Sequence, residues 1–529
     1  MGEASREGGG EPPPAPRRPS VPSWATAAEP DPRRWWALVV IAIAQLMVVL
    51  DATIVNIALP SAQRDLGMSD ANRQWVITAY TLAFGGLLLL GGRIADLVGR
   101  KKTFMIGLVG FAIASGLGGA ATGSGLLFGA RALQGAFAAL LAPSALSLLT
   151  TTFTIGKERS KAFGIYGAIA GGGAAIGLIA GGLLTEYLDW RWCLYVNVPI
   201  AVIALTGAAV FLRDRSERGR VSLDAPGVVL GCSGLVAIVY GCSEAEPRGW
   251  GDELVLGLLV GGVVLLGVFA WWQTRARHPL LPLHIVRNRN RGGAFLTMAL
   301  AVIGLFGMFL FMTYYLQTVL GYSPVRTGVA FLPMVAAIVV GSTQISARLL
   351  HRIPPRFLMV PGAVLASTGL FTLTFLTAEP AYVSHVLPAM LLVGLGMGLT
   401  FMPVLATATS GVAPHDSGVT SATVNTAQQV GGSIGTALLN TIATSTSAAY
   451  IADHLAAAAR SSGALGLTPA VREGIVKSGV VHGFTVAIGV GSAIMLLAAL
   501  VAGLLVNGRP ARQGQVSAAD SEESADAAA

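Results

Sequence analysis

The stretch Gln45-Leu-Met-Val-Val-Leu50-Asp51-Ala-Thr-Ile-Val55-Asn56-Ile-Ala-Leu-Pro60 sets one acid inside an apolar run long enough to cross a bilayer. Insertion scales put about 2.5–3.5 kcal/mol against an Asp at such depth. A chain that keeps one there commonly uses it to carry a proton or hold a cation. The rest of the sequence is read for what Asp51 is coupled to.

The surroundings are those of a membrane protein. Of 529 residues only 12% are charged, against about 25% in a soluble globular domain. Mean hydropathy is +0.67, and the 67 glycines let helices approach closely in lipid. A net charge of +8 would suggest nucleic acid in a soluble protein. Here the basic residues sit in short loops between apolar runs, where they orient the spans. Cys193, Cys232 and Cys242 lie in or beside apolar runs without metal-ligand spacing and read as small buried residues.

A span needs about 20 mostly apolar residues. Fourteen stretches qualify: 36–60, 72–92, 103–121, 124–150, 160–184, 192–212, 224–243, 253–272, 292–317, 325–348, 357–376, 382–406, 418–443 and 480–506. The chain therefore reads as an all-α polytopic membrane protein. One set of loops holds Arg93, Arg100, Lys101, Lys102, Lys157, Arg159, Lys161, four arginines over 213–220, five over 275–291, and Arg348, Arg352 and Arg356. The opposite loops hold only Arg64, Arg73, Arg191, Arg248, Arg326, Arg460, Arg472 and Lys477. The first set is thus cytoplasmic, and an even span count puts both termini inside. Residues 1–34 and 509–529 are rich in Pro, Gly, Ser or acids and are expected to be disordered cytoplasmic tails. The polar segment 444–479 is expected to be an extracellular loop, with a surface helix as an option for its Ala-rich part. Ala95-Asp-Leu-Val-Gly-Arg100 and Ala347-Arg-Leu-Leu-His-Arg352 form a degenerate repeat, as parallel-repeat transporters show.

Several groups carry chemistry. Asp51 lies about nine residues, roughly 13 Å, from the outer end of span one, and Arg131 about seven residues, roughly 10 Å, from that of span four. The opposite charges share a depth, and pairing lowers the cost of both. The pair reads as a titrating one, with a static structural ion pair as the alternative. In the turn Gly91-Gly92-Arg93-Ile-Ala-Asp96-Leu-Val-Gly99-Arg100-Lys101-Lys102 the glycines permit a tight reversal. Asp96 and Arg100 can pair with each other or with a neighbouring helix end, where an Asp gains up to about 1 kcal/mol. Span five repeats glycine every four residues, giving a smooth face for another helix. Polar residues stud other spans. Asn56, Gln134, Asn197, Gln317, Asn425 and Gln428, with Tyr314, are candidates for a substrate cavity, and some of them for helix bridges.

Other function classes find little support. The seven histidines show no ligand spacing, and no nucleophile–base constellation is evident, so no catalytic or metal residue is assigned and the chain is not read as an enzyme. Gly156-Lys157-Glu158 lacks the first Gly and the hydroxyl of a phosphate-binding loop, which speaks against ATP hydrolysis. A channel would more often be a symmetric assembly of small subunits.

The run Leu50 to Pro60, the Gly92…Asp96…Gly99-Arg100-Lys101 turn, the Arg131…Gln134-Gly135 helix and the span-five glycines together resemble the major facilitator superfamily over about residues 36–506. With fourteen spans and Trp190-Arg191-Trp192…Asn197-Val-Pro199, the chain looks like the fourteen-span drug:proton antiporter branch. The resemblance implies two six-helix bundles, 35–212 and 292–508, with two extra spans within 213–291. It implies alternating access that exports lipophilic or cationic drugs, driven by a proton gradient without a cofactor. Asp51 would be the proton site and Arg131 its coupled arginine. Gly92, Asp96, Gly99, Arg100 and Lys101 would form a cytoplasmic gate against Asp416-Ser417-Gly418. Gly173, Gly177, Gly181 and Gly182 match the antiporter glycine motif, but Leu178 stands where members usually have the Pro that kinks the helix. Glu244, Glu246, Glu379 and Asp453 lie at span ends or in loops, so no second deep acid is evident and neutral or monocationic substrates are expected. The expected setting is a monomer in a bacterial cytoplasmic membrane, its partners a small lipophilic molecule, protons and membrane lipids, with no nucleic acid. The same scaffold could instead export an endogenous metabolite or a lipid.

Overall fold

The structure is a computed structural model and describes residues 32–68, 75–153, 156–213, 223–377, 382–462 and 468–507. The tails expected to be disordered lie outside these residues, except for positions 32–34. Residues 32 and 33 form a turn, and Arg34 already begins the first helix.

Among the described residues there is no strand, and fourteen long helices follow one another. The first six are α1 (Arg34–Asp65), α2 (Trp75–Val98), α3 (Arg100–Gly119), α4 (Ser124–Thr152), α5 (Gly156–Tyr187) and α6 (Trp192–Phe211). Then come α7 (Ala225–Arg248) and α8 (Glu253–Gln273). The last six are α9 (Arg289–Gln317), α10 (Val325–Leu349), α11 (Arg356–Phe375), α12 (Tyr382–Ala408), α13 (Ser417–Ser462) and α14 (Pro469–Leu505). Twelve are long and apolar enough to cross a membrane, and α5, as one bent helix, makes a thirteenth. The exception is α13, whose Ser, Thr, Gln and Gly lower its hydropathy although it packs among the others.

The packing sorts the helices into two halves. In the first, α1 lies on α5 and α6, α2 on α4, and α3 on α4 and α6. In the second, α9 lies on α13 and α14, α11 on α12 and α14, and α10 on α12. The halves meet where α5 crosses α10 and α12 and where α2 and α4 meet α13.

Two features depart from the linear reading. Residues 444–479 are mostly helix, because α13 runs on to Ser462 and α14 begins at Pro469. Ala is the best helix former, and Gly479 and Gly483 let α14 close on Ile451 and Ala443 of α13. At 46 residues, α13 is about 69 Å long, more than twice the roughly 30 Å of a bilayer core. The second feature is the bend of 49° in α5 between Lys157–Gly173 and Ala175–Tyr187. It falls beside the run Gly171-Gly172-Gly173, not at Leu178. Consecutive glycines weaken a helix enough to bend it without a proline.

The α7–α8 hairpin is clamped at its ends. Asp224 caps α7 by accepting from the Gly227 amide (3.0 Å), and it takes the Trp272 indole and the Gln273 amide of α8 at 2.9 Å each. Burial pushes this carboxyl up, but the bonds from Trp272, Gln273 and the backbone outweigh it and hold Asp224 below its ordinary range. At the hairpin's other end Ser243 meets Thr78 of α2 (3.2 Å), and the Trp250 indole donates to Thr441 of α13 (2.8 Å). The inserted pair thus touches both halves. Asp224→Ala strands several donors and is expected to cost about 1–3 kcal/mol. A fall in the thermal midpoint of the purified chain in detergent checks this, and an unchanged midpoint would show that the clasp adds nothing.

Candidate functional site

Four helices converge on Asp51. Helix α1 carries it, α4 supplies Arg131 and Gln134 one turn apart, α6 supplies Asn197, and α3 brings Ser115. Arg131 Nη1 donates to Asp51 Oδ2 at 2.7 Å. Gln134 Nε2 and Asn197 Nδ2 donate to Oδ1 at 3.0 and 2.8 Å. The guanidinium also reaches Gln134 Oε1 (2.9 Å) and the Val76 carbonyl (3.1 Å), and lies 4.3 Å from the Tyr80 ring centroid. Gln134 Nε2 further donates to Ser115 Oγ at 2.6 Å. Asp51 is wholly buried and Arg131 is 2% exposed. A pair this dry is tolerated only when its remaining lone pairs and protons are met, and breaking one costs about 3–5 kcal/mol. Two polar atoms nearby lack a partner, Asn197 Oδ1 and Tyr80 Oη. Beyond Arg131 lies a void of about 10 Å³ lined by Val55, Ala58, Leu59, Val76, Leu127 and Trp190, space for roughly one water.

A second cluster joins the halves at the end of the molecule that holds the α2–α3 turn. Asp96 accepts from the amides of Gly418 (2.9 Å) and Val419 (3.0 Å), and so caps the first turn of α13. Arg100 Nη2 stands 3.8 Å from Asp96 Oδ1. Gly92 and Gly418 lie back to back, and a Cβ on Gly92 would sit 2.6 Å from the Gly418 carbonyl oxygen. Gly99 has φ +108°, a conformation that side chains resist, and it turns the chain from α2 into α3. Ser147 of α4 bonds Ser417 at 2.7 Å, and Arg159 of α5 donates to Thr409 Oγ1 at 3.0 Å. Lys101 is placed elsewhere. Its ammonium donates to the carbonyls of Ala209 (2.9 Å) and Leu212 (2.7 Å), at the C-terminal end of α6, where unpaired carbonyls favour a cation. It ties the first half together and does not cross the gate.

The α5 glycines serve two neighbours. Gly173, Gly177 and Gly181 face Val49, Thr53 and Ile54 of α1, the helix of Asp51, while Gly182 is buried. Gly164, Gly167 and Gly171 face Ser342, Met402 and Phe401 of the second half. The bent helix therefore presents glycine to both sides and approaches each closely.

The proposed cavity residues do not form one set. Gln134 and Asn197 are fully buried against Asp51, because a carboxylate in a dry site demands donors. Asn425 is buried and returns its amide to the Ser421 carbonyl (2.9 Å). Gln428 is half-buried, 3.6 Å from Met298 Sδ, and Gln317 is half-buried. Asn56 and Tyr314 are exposed, the latter edge-on to Phe484. Ser115, the Val76 carbonyl and the Arg159–Thr409 bond carried no sequence signal, since small hydroxyls and backbone oxygens look alike everywhere.

The fold and this charge cluster define a polytopic membrane transporter. The Major Facilitator Superfamily profile matches residues 41–436, and the chain belongs to that superfamily. It is 58% identical over 493 residues to the puromycin resistance protein of Streptomyces alboniger, covering 93% of this chain and 95% of the relative. It is 40% identical over 424 residues to the cephamycin export protein of Amycolatopsis lactamdurans, covering 79% and 87%. The human organic anion transporter MFSD10 shares the fold, with a TM-score of 0.58 at 11% identity over 89% of this chain and 99% of that one.

Asp96→Ala removes the cap of α13, which is worth about 0.5–2 kcal/mol, a two- to thirty-fold change in the closed-to-open ratio. The expected result is a lower disulfide yield between Ser147→Cys and Ser417→Cys in membranes. An unchanged yield would take Asp96 out of the gate.

Proposed function

We propose that this chain exports lipophilic antibiotics in exchange for protons, by alternating access, from a bacterial cytoplasmic membrane with both termini inside. The observation that carries this reading is the wholly buried Asp51, held by Arg131, Gln134 and Asn197.

A proton arriving on Asp51 cancels its attraction for Arg131. The guanidinium is then left among neutral acceptors, Gln134 Oε1 and the Val76 carbonyl. An uncompensated buried cation costs several kcal/mol, and the protein relieves it by moving α1 relative to α4. The glycine faces of α5 let α1 shift against the second half. The Asp96 cap lies between those halves on the cytoplasmic side and is weak enough to open and close in turn. Loss of the proton restores the pair and resets the cycle. Gradient and carboxyl suffice, so no cofactor enters, and one chain holds both halves.

Relatives named for puromycin resistance and cephamycin export support an antibiotic as substrate. Of the acids considered for a second deep charge, Glu244 is taken up by Arg248 at 2.7 Å at the end of α7, Asp453 is exposed on α13, and Glu379 lies outside the described residues. This favours neutral or singly charged cargo, and puromycin is the first compound to test.

Proteoliposomes with an acidic lumen are expected to accumulate puromycin, and collapse of the pH gradient is expected to stop it. Uptake indifferent to the gradient would overturn proton coupling. Asp51→Asn should insert normally and lose coupled uptake by about tenfold or more, since the buried group that takes the proton is gone. Full gradient-driven transport in that variant would remove Asp51 from the mechanism. Arg131→Lys keeps the charge but not the planar fork, and is expected to transport better than Arg131→Ala yet below the native chain, with the expressed amount measured alongside.

A further inference from the structure

We propose that the groove between α1 and α5 is a binding site for one anionic phospholipid of the cytoplasmic leaflet. The groove has a volume of about 210 Å³ and is lined by Leu38, Val39, Ala42, Ile43 and Leu46 of α1 with Ile165 and Ile169 of α5. Every lining side chain is aliphatic, so the occupant's body is hydrocarbon. The groove runs along α1 from residue 38 to 46, about 12 Å, close to the roughly 15 Å that one leaflet contributes to a bilayer core. That is the reach of an acyl chain entering from the membrane surface.

The headgroup end is marked by charge and aromatic rings. Lys157, Lys161, Ile165 and Ile169 follow at helical spacing on one face of α5, so the two lysines continue the groove toward the surface. Both are exposed. Lys161 Nζ lies 4.9 Å from the Trp35 ring centroid, and Trp35 precedes Leu38 and Val39 by one turn. Trp36 beside it is 58% exposed and stacks on Phe211 at 5.7 Å. Tryptophan and lysine at this level are the anchors of a membrane interface. Among the described residues lining this end the acid is Glu158, taken up by both arms of Arg34 at 2.8 and 2.7 Å, so the lysines there set the sign. A phosphate with a net negative charge fits them, and each such cation near an anionic lipid is worth about a five-fold change in binding.

The site is placed to matter. Leu46 at its inner end also stands beside Gly173, where α5 bends, 3.6 Å from where a Cβ there would lie. A chain lodged in the groove props α1 against the half of α5 that precedes the bend. The choice of leaflet rests on the orientation proposed above, while binding itself is read without substrate or gradient, so either reading can fail alone.

The test is native mass spectrometry of the full chain in detergent, titrated with phosphatidylglycerol or phosphatidylcholine. Expected is one phosphatidylglycerol retained about five-fold or more over phosphatidylcholine. Lys161→Gln should lower that preference by about five-fold, and an unchanged preference would overturn the proposal. Ala42→Trp should abolish retention of both lipids, and Val39→Trp, at a position 45% exposed, serves the same purpose if the first variant does not fold. Equal retention of the two lipids by the native chain, retention unaltered by filling the groove, or displacement of the lipid by puromycin would each overturn the proposal.

Discussion

Everything in the first half of this transporter is arranged around the need to solvate one carboxylate without water. Asp51 sits where the bilayer offers nothing, so its oxygens must be met by Arg131, Gln134 and Asn197. These belong to three different helices, counting α1. Gln134 then leans on Ser115 of a fourth, and Arg131 on the backbone and ring of α2. The cost of a stranded charge, several kcal/mol, holds the five helices in one arrangement more firmly than apolar packing could. In lipid, apolar surface gains little by meeting apolar surface.

The contacts between the halves are of a different kind. Asp96 capping α13, the Ser147–Ser417 bond and the Arg159–Thr409 bond are single polar contacts across a seam of opposed glycines. Each is worth about a kilocalorie, so the seam can open on a modest change elsewhere. Strong solvation inside one half thus stands beside weak latching between the halves, and the proposed proton-driven cycle rests on that difference. The bend of α5 falls at its glycine run, and its two glycine faces bring it close to both halves. The inserted α7–α8 pair adds a bridge at the opposite end, through Ser243 and Trp250.

Much of this was legible in the chain. Helical class and span positions follow from apolar run length, which is a local property and survives any error about neighbours. The Asp51–Arg131 meeting was legible from depth alone, because two helices of opposite direction present residues at predictable heights. The Asp96 cap was half legible. The residues alone suggest a helix end, the family resemblance points to the start of span thirteen, and the fold adds which amides the carboxylate meets, those of Gly418 and Val419. With Leu178 where a proline would have kinked the helix, the bending of α5 was left open by the sequence, and the 49° bend falls beside the glycines at 171–173. The 444–479 segment read as an outside loop with room for a surface helix in its Ala-rich part, and the structure makes that helix a continuation of α13.

The sequence by itself determined that this chain spans a membrane many times, that a carboxyl and a guanidinium lie at one depth within it, and that glycines line one face of the fifth span. These follow from burial cost and helical periodicity, which act within a single segment. Only the tertiary structure decided that Gln134 and Asn197 bond the carboxylate, that Lys101 holds a helix end and not the gate, and that α5 packs by glycine on two partners. Asp51 meets Arg131 and Asn197 across separations of 80 and 146 residues, and no local rule assigns a donor to an acceptor over such a distance until the helices have packed.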